Sequence, residues 1–242
     1  MKFSLSAFLS NRYKIFLAFV SLFGALLVWY AMSIQGPGVT PDSINYIAAA
    51  RNLINGLGVV NYSDSPLVWW PPFYPFLLAV VQLVFSLNTL TAAMLFNLVL
   101  FYFTIYTAGL LFFRYLNKFP LLAGFATLAV IFSISLIPIF VMVWSETLFI
   151  LFVNLFLVLS DNYWQKRNIS SLLLLSIIVS LSCLTRYIGI ILVFAALIRI
   201  LLLENFSWKK KFLHALIFLF ISMLPLAIWL LRNYLLVGSL TG

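Results

Sequence analysis

The stretch PPFYPFLLAVVQLVFSL, residues 71–87, decides the arrangement of the chain, because it is apolar enough to enter a membrane but too short to cross it. Three prolines stand within its first five residues, which leaves only about 15 residues for a helix. A helix rises 1.5 Å per residue and needs about 20 residues to span the hydrocarbon core. If 73–87 does cross the membrane, every later apolar run reverses its orientation.

The composition indicates a membrane protein. Hydrophobic residues make up 65% of the 242 residues and charged residues only 8%, whereas soluble domains are near half apolar and a quarter charged. A water-soluble fold cannot bury so many apolar side chains, so lipid must surround most of the chain. The net charge of +9 does not indicate nucleic-acid binding, because the basic residues form short clusters between apolar runs, as topology signals do. The single cysteine, Cys183, excludes an intramolecular disulfide and is interpreted as a small buried apolar residue.

Charge decides the topology. The apolar run over 15–34 is longer than the core of a signal peptide and is interpreted as an uncleaved anchor. With the N-terminus cytoplasmic and 73–87 at the interface, eleven of the 14 basic residues fall inside, whereas a spanning 73–87 puts nine outside. The positive-inside rule favours the first arrangement. It predicts an all-α integral membrane protein, 1–242 as one transmembrane domain, with an external loop over 35–89 that carries interfacial helices near 42–55 and 73–87. The seven predicted transmembrane helices cover 13–34, 90–113, 119–138, 141–160, 169–185, 187–203 and 211–231.

The external loop carries Asp42, one of five acidic residues in the chain. Thr40, Pro41 and Asp42 suit the N-cap, first and second positions of a helix, where a carboxylate stabilises the positive end of the dipole. Apolar side chains follow at helical spacing, so this helix is expected to lie on the membrane surface. Capping accounts for an acidic residue here, and a functional role for Asp42 stays open on the residues alone.

Glu146, Arg186 and Arg232 are expected on the same outer face. Each has a structural interpretation: Ser145 and Glu146 as a helix start, and the two arginines as charges that reach the lipid headgroups. Three lone charges on one face, together with Asp42, favour a functional site there.

A metal site on that face is the second interpretation. Hard cations take carboxylate ligands, and Asp42, Asp64 and Glu146 are all expected outside. Their spacing does not support a metal site, and Asp64 has the surroundings of a turn residue. His214 follows three lysines and is interpreted as a headgroup contact. The sequence contains no phosphate-binding loop, zinc-protease motif or hydrolase nucleophile motif.

Five stretches occur in a distinctive order: Asp42 with Tyr46 and AAARNLINGLG (48–58), WWPPFYPFLLA (69–79), WSETLF (144–149), LTRYIG (184–189) and LRNYLLVGSLTG (231–242). In this order they resemble the N-terminal half of the GT-C superfamily of membrane glycosyltransferases, in particular the protein O-mannosyltransferase and lipid A aminoarabinose transferase type. The resemblance covers nearly the whole chain and implies the N-terminal module of a longer family architecture.

The resemblance implies an inverting glycosyltransferase in a bacterial-type cytoplasmic membrane. Its donor is a polyprenyl-phosphate-linked sugar, used at the outer face, and its acceptor is a hydroxyl of a lipid, glycan or protein. Asp42 corresponds to the loop carboxylate that takes the proton of the acceptor. Arg186 and Arg232 are candidates to hold the leaving phosphate. No cofactor is implied with certainty, and a divalent cation is compatible with the site. The other substrate-binding candidates are Glu146, Tyr46 and Arg51.

Two other functions are compatible with a membrane chain of this kind. A transporter or flippase of lipid-linked sugars predicts charges near the membrane midplane and inverted repeats. In this chain Asp42, Glu146 and the external arginines fall at the outer ends of the predicted spans, and no repeat is visible. A non-catalytic partner of a membrane complex is the other alternative.

Overall fold

The computed structural model describes residues 11–204 and 206–242. Within these ranges the chain is helical and contains no β-strand. Lys2, one of the basic residues behind the predicted orientation, lies outside the described residues. The helices are α1 (Asn11–Gln35), α2 (Pro41–Ile54), α3 (Phe73–Phe85), α4 (Thr89–Tyr115), α5 (Pro120–Ile131), α6 (Leu136–Val141), α7 (Glu146–Lys166), α8 (Ile169–Thr185), a 3₁₀ turn (Tyr187–Gly189), α9 (Ile190–Leu201) and α10 (Trp208–Val237).

Four of the described helices, α1, α4, α7 and α10, are long and apolar enough to cross a membrane. The other three predicted spans consist of shorter helices: 119–138 is divided into α5 and α6, 169–185 is α8, and 187–203 is the 3₁₀ turn and α9. The prediction of an all-α membrane protein is confirmed, and the count of seven spans stays a prediction.

The predicted span over 141–160 begins later than expected, at Glu146. The residues before it leave helical geometry because they pair with the chain after α1. Gly38 N–H donates to the Val141 carbonyl at 2.8 Å, and Val143 N–H donates to the Gly38 carbonyl at 3.0 Å. The buried Asn97 amide donates to two further carbonyls of this segment, at 2.9 and 2.8 Å. These bonds satisfy backbone groups that a membrane protein cannot leave unpaired.

The two short helices expected in the first loop, α2 and α3, are present. The 13 residues of α3 extend about 20 Å, less than the hydrocarbon thickness of about 30 Å. Helix α2 begins as expected, with Thr40 as N-cap and Pro41 as first residue. It ends before Gly56, whose φ of +75° is in the left-handed region that favours glycine.

The buried core consists of two main clusters that meet along α7. One contains Tyr46, Tyr74 and Phe101 and connects the helices α1, α2, α3 and α4 with the outer half of α7. The other, around Val179 and Phe218, joins the inner half of α7 to α8, α9 and α10. Hydrogen bonds bring three parts of the chain together at one end of the bundle, which we call the outer end: the N-terminus of α2, the N-terminus of α7 and the turn after α8.

Candidate active site

Asp42 is the second residue of α2 and is half-buried. The helix start is built by Ser43, whose Oγ accepts the Thr40 N–H at 3.0 Å and lies 3.1 Å from Thr40 Oγ1. Trp144 Nε1 also donates to Thr40 Oγ1 at 2.7 Å, which ties this helix start to the residues before α7. Asp42 is therefore held at the outer end, one helical turn from Tyr46 and on the same face of α2.

Tyr46 joins α2 to the start of α7. Its ring is fully buried, and its hydroxyl lies 2.9 Å from Ser145 Oγ. Ser145 is the N-cap of α7 and Glu146 its first residue, as expected for the helix start, but the Ser145 side chain makes no capping bond. Its hydroxyl points instead at Tyr46 and Arg186, which is why it is unavailable to the helix N–H groups.

Glu146 and Arg186 form an ion pair across the outer end. Both side chains are 32% exposed, so the pair is only partly shielded from its surroundings. Arg186 Nη1 also donates to Ser145 Oγ at 3.2 Å. Arginine only donates hydrogen bonds, so Ser145 Oγ is the acceptor in this bond and its own proton goes to another oxygen. Glu146 Oε2 lies within reach of that proton, at 3.5 Å from Ser145 Oγ. Tyr46 then donates to Ser145, so the chain of hydrogen bonds ends on the Glu146 carboxylate.

The electrostatics of the cluster favour a neutral Tyr46. Burial raises the pKa of the Tyr46 phenol, the Ser145 hydrogen bond lowers it, and the charges of Glu146 and Asp42 raise it while that of Arg186 lowers it. The net effect is a pKa above the ordinary value. The phenol therefore acts as a hydrogen-bond donor and not as a base.

Asp42 differs from Glu146 because no hydrogen bond or ion pair joins its carboxylate to another described side chain. Ion pairs in the described part of the chain involve only two carboxylates, Glu146 and Asp161. The site thus combines one paired and one unpaired carboxylate with one guanidinium and the positive ends of α2 and α7. Such an arrangement can accept a proton at Asp42 and hold an anion near Arg186.

Arg232 lies in another network. It donates to the carbonyls of Leu67 at 2.9 Å and Val59 at 3.2 Å, and its guanidinium lies 4.4 Å from the centre of the Trp229 ring. Tyr187 supports the same loop by donating to the Val68 carbonyl at 2.8 Å. Arg232 therefore connects the loop over 59–68 to α10, and no described contact joins it to the Glu146–Arg186 pair.

Arg51 is also separate from the cluster. Its Nε donates to Thr89 Oγ1 at 3.0 Å, and Thr89 donates to Gln82 at 2.8 Å. Nine residues along α2 correspond to about 13 Å, so Arg51 is well removed from Asp42. The structure brings together Asp42, Tyr46, Glu146 and Arg186, and places Arg51 and Arg232 elsewhere.

The remaining polar candidates are not part of the site. Asp64 is exposed in a turn, with a φ of 58°, and the described residues contain no group of three His, Cys, Asp or Glu side chains that would hold a metal. His214 Nδ1 lies 2.8 Å from the Tyr163 hydroxyl, so its described contact is inside the bundle and not the expected headgroup contact.

Sequence reasoning missed Ser145 as a contact of the site, because its partner Tyr46 is 99 residues away along the chain. It also missed Tyr187, which is half-buried and bonds both the loop, at the Val68 carbonyl, and Trp229 Nε1 at 3.1 Å. The signal for Ser145 was its position beside Glu146 in WSETLF, but a serine before an acidic helix start is more commonly a cap.

Comparison with known proteins shows a similar fold. No protein-family model matches the chain, and a search of curated proteins found no match. A solved structure of the Saccharomyces cerevisiae protein O-mannosyltransferase Pmt1–Pmt2 complex bound to the sugar donor matches with a TM-score of 0.72 and 16% identity. The match covers 98% of this chain and 35% of that chain, so the chain spans about a third of its length. The chain therefore has a GT-C-like membrane fold, as its sequence motifs predicted.

Proposed function

We propose that this chain is the N-terminal module of a membrane glycosyltransferase that moves a sugar from a polyprenyl-phosphate-linked donor to an acceptor hydroxyl at the outer face of the cytoplasmic membrane. The observation that carries the proposal is the meeting of Asp42, Tyr46, Glu146 and Arg186 at one end of a GT-C-like bundle. The similar structure is a protein O-mannosyltransferase bound to its sugar donor, which supports a sugar-transfer reaction over other membrane chemistry.

The reaction is an in-line displacement. The acceptor oxygen forms a bond to the anomeric carbon, and the bond from that carbon to the phosphate oxygen breaks, with inversion. The acceptor proton passes to the Asp42 carboxylate, and the electron pair leaves with the polyprenyl phosphate. A half-buried carboxylate without a described cation partner is suited to accept that proton.

Arg186 holds the departing phosphate. Its guanidinium is already oriented by Glu146 and Ser145, and a phosphate that gains charge competes well for a bidentate donor. The positive ends of α2 and α7 contribute in the same direction. Glu146 keeps Arg186 in place between turnovers, and Tyr46 fixes the distance between the helices that carry the two carboxylates.

The polyprenyl tail lies in an apolar groove on the membrane-facing surface. A cavity of about 430 Å³ lies between the middle turns of α1 and α4. Its lining is hydrocarbon and aromatic, and it suits a hydrophobic tail that remains in the bilayer while its phosphate is at the outer end. Lining residues include Leu22, Leu26, Trp29, Leu98, Tyr102 and Phe103.

The test is sugar transfer by Asp42→Asn, with Asp64→Asn as matched control. Both changes replace a carboxylate by an amide in the first external loop, and asparagine tolerates the left-handed backbone of Asp64. In membranes supplied with polyprenyl-phosphate sugars, we expect Asp42→Asn to lower the rate about 100-fold or more. Asp64→Asn should stay within about twofold of the unaltered chain at equal protein level, since Asp64 is exposed and has no described contact with Tyr46, Glu146 or Arg186.

Equal transfer by the two variants would refute Asp42 as the base. An unaltered chain that transfers no sugar from any polyprenyl-phosphate donor would refute the enzymatic proposal and favour a non-catalytic partner of a membrane complex. Copurifying lipid, identified by mass spectrometry, would give the donor class independently of activity.

A further inference from the structure

A second cavity opens at the end of the bundle opposite the candidate active site, between α1, α4 and α5. Its volume is about 430 Å³. One wall is a cluster of aromatic rings, in which the ring centres of Tyr13 and Phe16 lie 4.8 and 6.1 Å from that of Phe113. The other wall is α5, where Leu121 is 79% and Phe125 is 68% exposed. Because these side chains face the bilayer, the cavity is open to lipid.

Gly124 in the middle of α5 contributes to this cavity by having no side chain. Glycine inside a helix costs about 1 kcal/mol relative to alanine, so its presence calls for a reason. Close packing is not that reason, because a Cβ at this position would come no nearer than 3.7 Å to the Phe16 ring, an ordinary contact. The missing side chain instead leaves room between α1 and α5.

Charge at the mouth of the cavity indicates what occupies it. Arg12 lines the cavity together with the apolar residues. None of the ion pairs in the described ranges involves Arg12. An apolar slot with a guanidinium at its rim complements a molecule with a hydrocarbon chain and an anionic head.

We propose that this cavity is a binding site for an anionic phospholipid, with one acyl chain between α1 and α5 and the phosphate at Arg12. Basic residues at a membrane surface attract anionic headgroups, and the slot adds a fixed position for the chain. A protein helix is 10–12 Å wide. It is too wide for a slot that is open only because one residue, Gly124, has no side chain. This site is separate from the proposed reaction and does not depend on it.

The test compares phosphatidylglycerol with phosphatidylcholine. The purified full chain in detergent is titrated with each lipid, and bound lipid is counted by native mass spectrometry. Four variants form two matched pairs: Gly124→Leu against Gly124→Ala, and Arg12→Gln against Lys14→Gln. The leucine fills the slot whereas the alanine fits within ordinary contact, and Arg12 lines the cavity whereas Lys14 does not.

We expect the unaltered chain to retain phosphatidylglycerol in preference to phosphatidylcholine. Gly124→Leu should lower that retention at least tenfold, and Arg12→Gln should lower it about fivefold, the loss expected for one basic residue at a membrane surface. Gly124→Ala and Lys14→Gln should change it less than twofold. Arg12→Gln alters an exposed side chain, so it tests the proposal even if the leucine variant does not fold.

Equal binding of phosphatidylglycerol and phosphatidylcholine would overturn the proposal. So would unchanged retention of phosphatidylglycerol in both Gly124→Leu and Arg12→Gln. If Gly124→Leu instead shifted the oligomeric state and left lipid binding unchanged, the cavity would be a contact between two copies of the chain, which also overturns it.

Discussion

The hydrogen bond between Tyr46 and Ser145 gives the sharpest test of the site, because it can be removed from either side. Ser145→Ala takes away the acceptor of the Tyr46 hydroxyl at 2.9 Å. Tyr46 is 0% exposed, so water cannot replace the lost partner. Tyr46→Phe removes the hydroxyl itself, and Ser145 keeps its bond from Arg186 at 3.2 Å.

The two changes should differ in cost. A buried hydroxyl without a partner costs about 1–3 kcal/mol of unfolding free energy, so we expect Ser145→Ala to lose about 2 kcal/mol. Tyr46→Phe orphans no buried donor and should lose about 1 kcal/mol. In the double variant the hydroxyl and its missing acceptor disappear together. The combined loss should therefore fall short of the sum by about 1 kcal/mol.

The assay is thermal unfolding of the purified full chain in detergent, followed by tryptophan fluorescence. In a chain of this size each kcal/mol corresponds to about 2–4 °C in Tm. Ser222→Ala is the matched control, because Ser222 is also buried but bonds only carbonyls of its own helix, the nearer at 2.7 Å. Its loss should stay below about 1 kcal/mol. Additive losses for Ser145→Ala and Tyr46→Phe, within about 0.5 kcal/mol, would refute the coupling between α2 and α7.

Other contacts allow three further predictions. In Gly189→Ala, the new Cβ would meet backbone atoms of α8 at 2.8 Å, and because backbone cannot move aside we expect a loss of about 1–3 kcal/mol in thermal unfolding; an unchanged Tm would contradict this. Arg232→Ala should speed proteolysis of the first external loop by freeing two loop carbonyls, and Arg232→Lys should not restore protection, since an ammonium lacks the planar fork. Cysteines placed at Ser63 and Asn168 should label from outside and inside respectively, with the buried Cys183 as an unlabelled background; outside labelling at Asn168 would mean that 73–87 spans.

Local signals in the sequence predicted the start of α2 and the shortness of α3. Thr40 and Pro41 define a helix start through their own side chains, and the prolines of residues 71–75 limit the length of the next helix. Both features depend on residues that are adjacent in the chain. They were therefore accessible without knowledge of tertiary contacts.

The division of the predicted span over 119–138 and the late start of α7 could not be predicted in the same way. The chain before α7 is extended because it pairs with Gly38 and because Asn97 satisfies its carbonyls. Both partners are distant in sequence. An apolar composition alone favours an unbroken helix over these residues, and only the tertiary contacts make the irregular backbone stable inside a membrane protein.

The site residues also divide into those that the sequence could place and those that depend on tertiary contacts. The charge count brought Asp42, Glu146 and Arg186 to one face, and the structure places them at one end of the bundle. Arg232 was grouped with them because the sequence around a lone arginine at a helix end does not show whether the side chain binds a phosphate or a backbone carbonyl. Only the position of the loop over 59–68 distinguishes the two, and that position depends on packing.

The two ends of α7 carry carboxylates whose contacts differ from those of Asp42, the proposed base. Asp161 lies 15 residues after Glu146, about 22 Å along the helix. It is 8% exposed and receives Arg199 at 2.5 Å and Arg114 at 3.5 Å, so two cations stabilise its charge. Glu146 is paired as well. Asp42, in contrast, stands one turn from Tyr46 and forms no ion pair with a described side chain. The bundle thus uses Glu146 and Asp161 to hold helices together and leaves Asp42 without an ion pair, which is the arrangement that its proposed role as base requires.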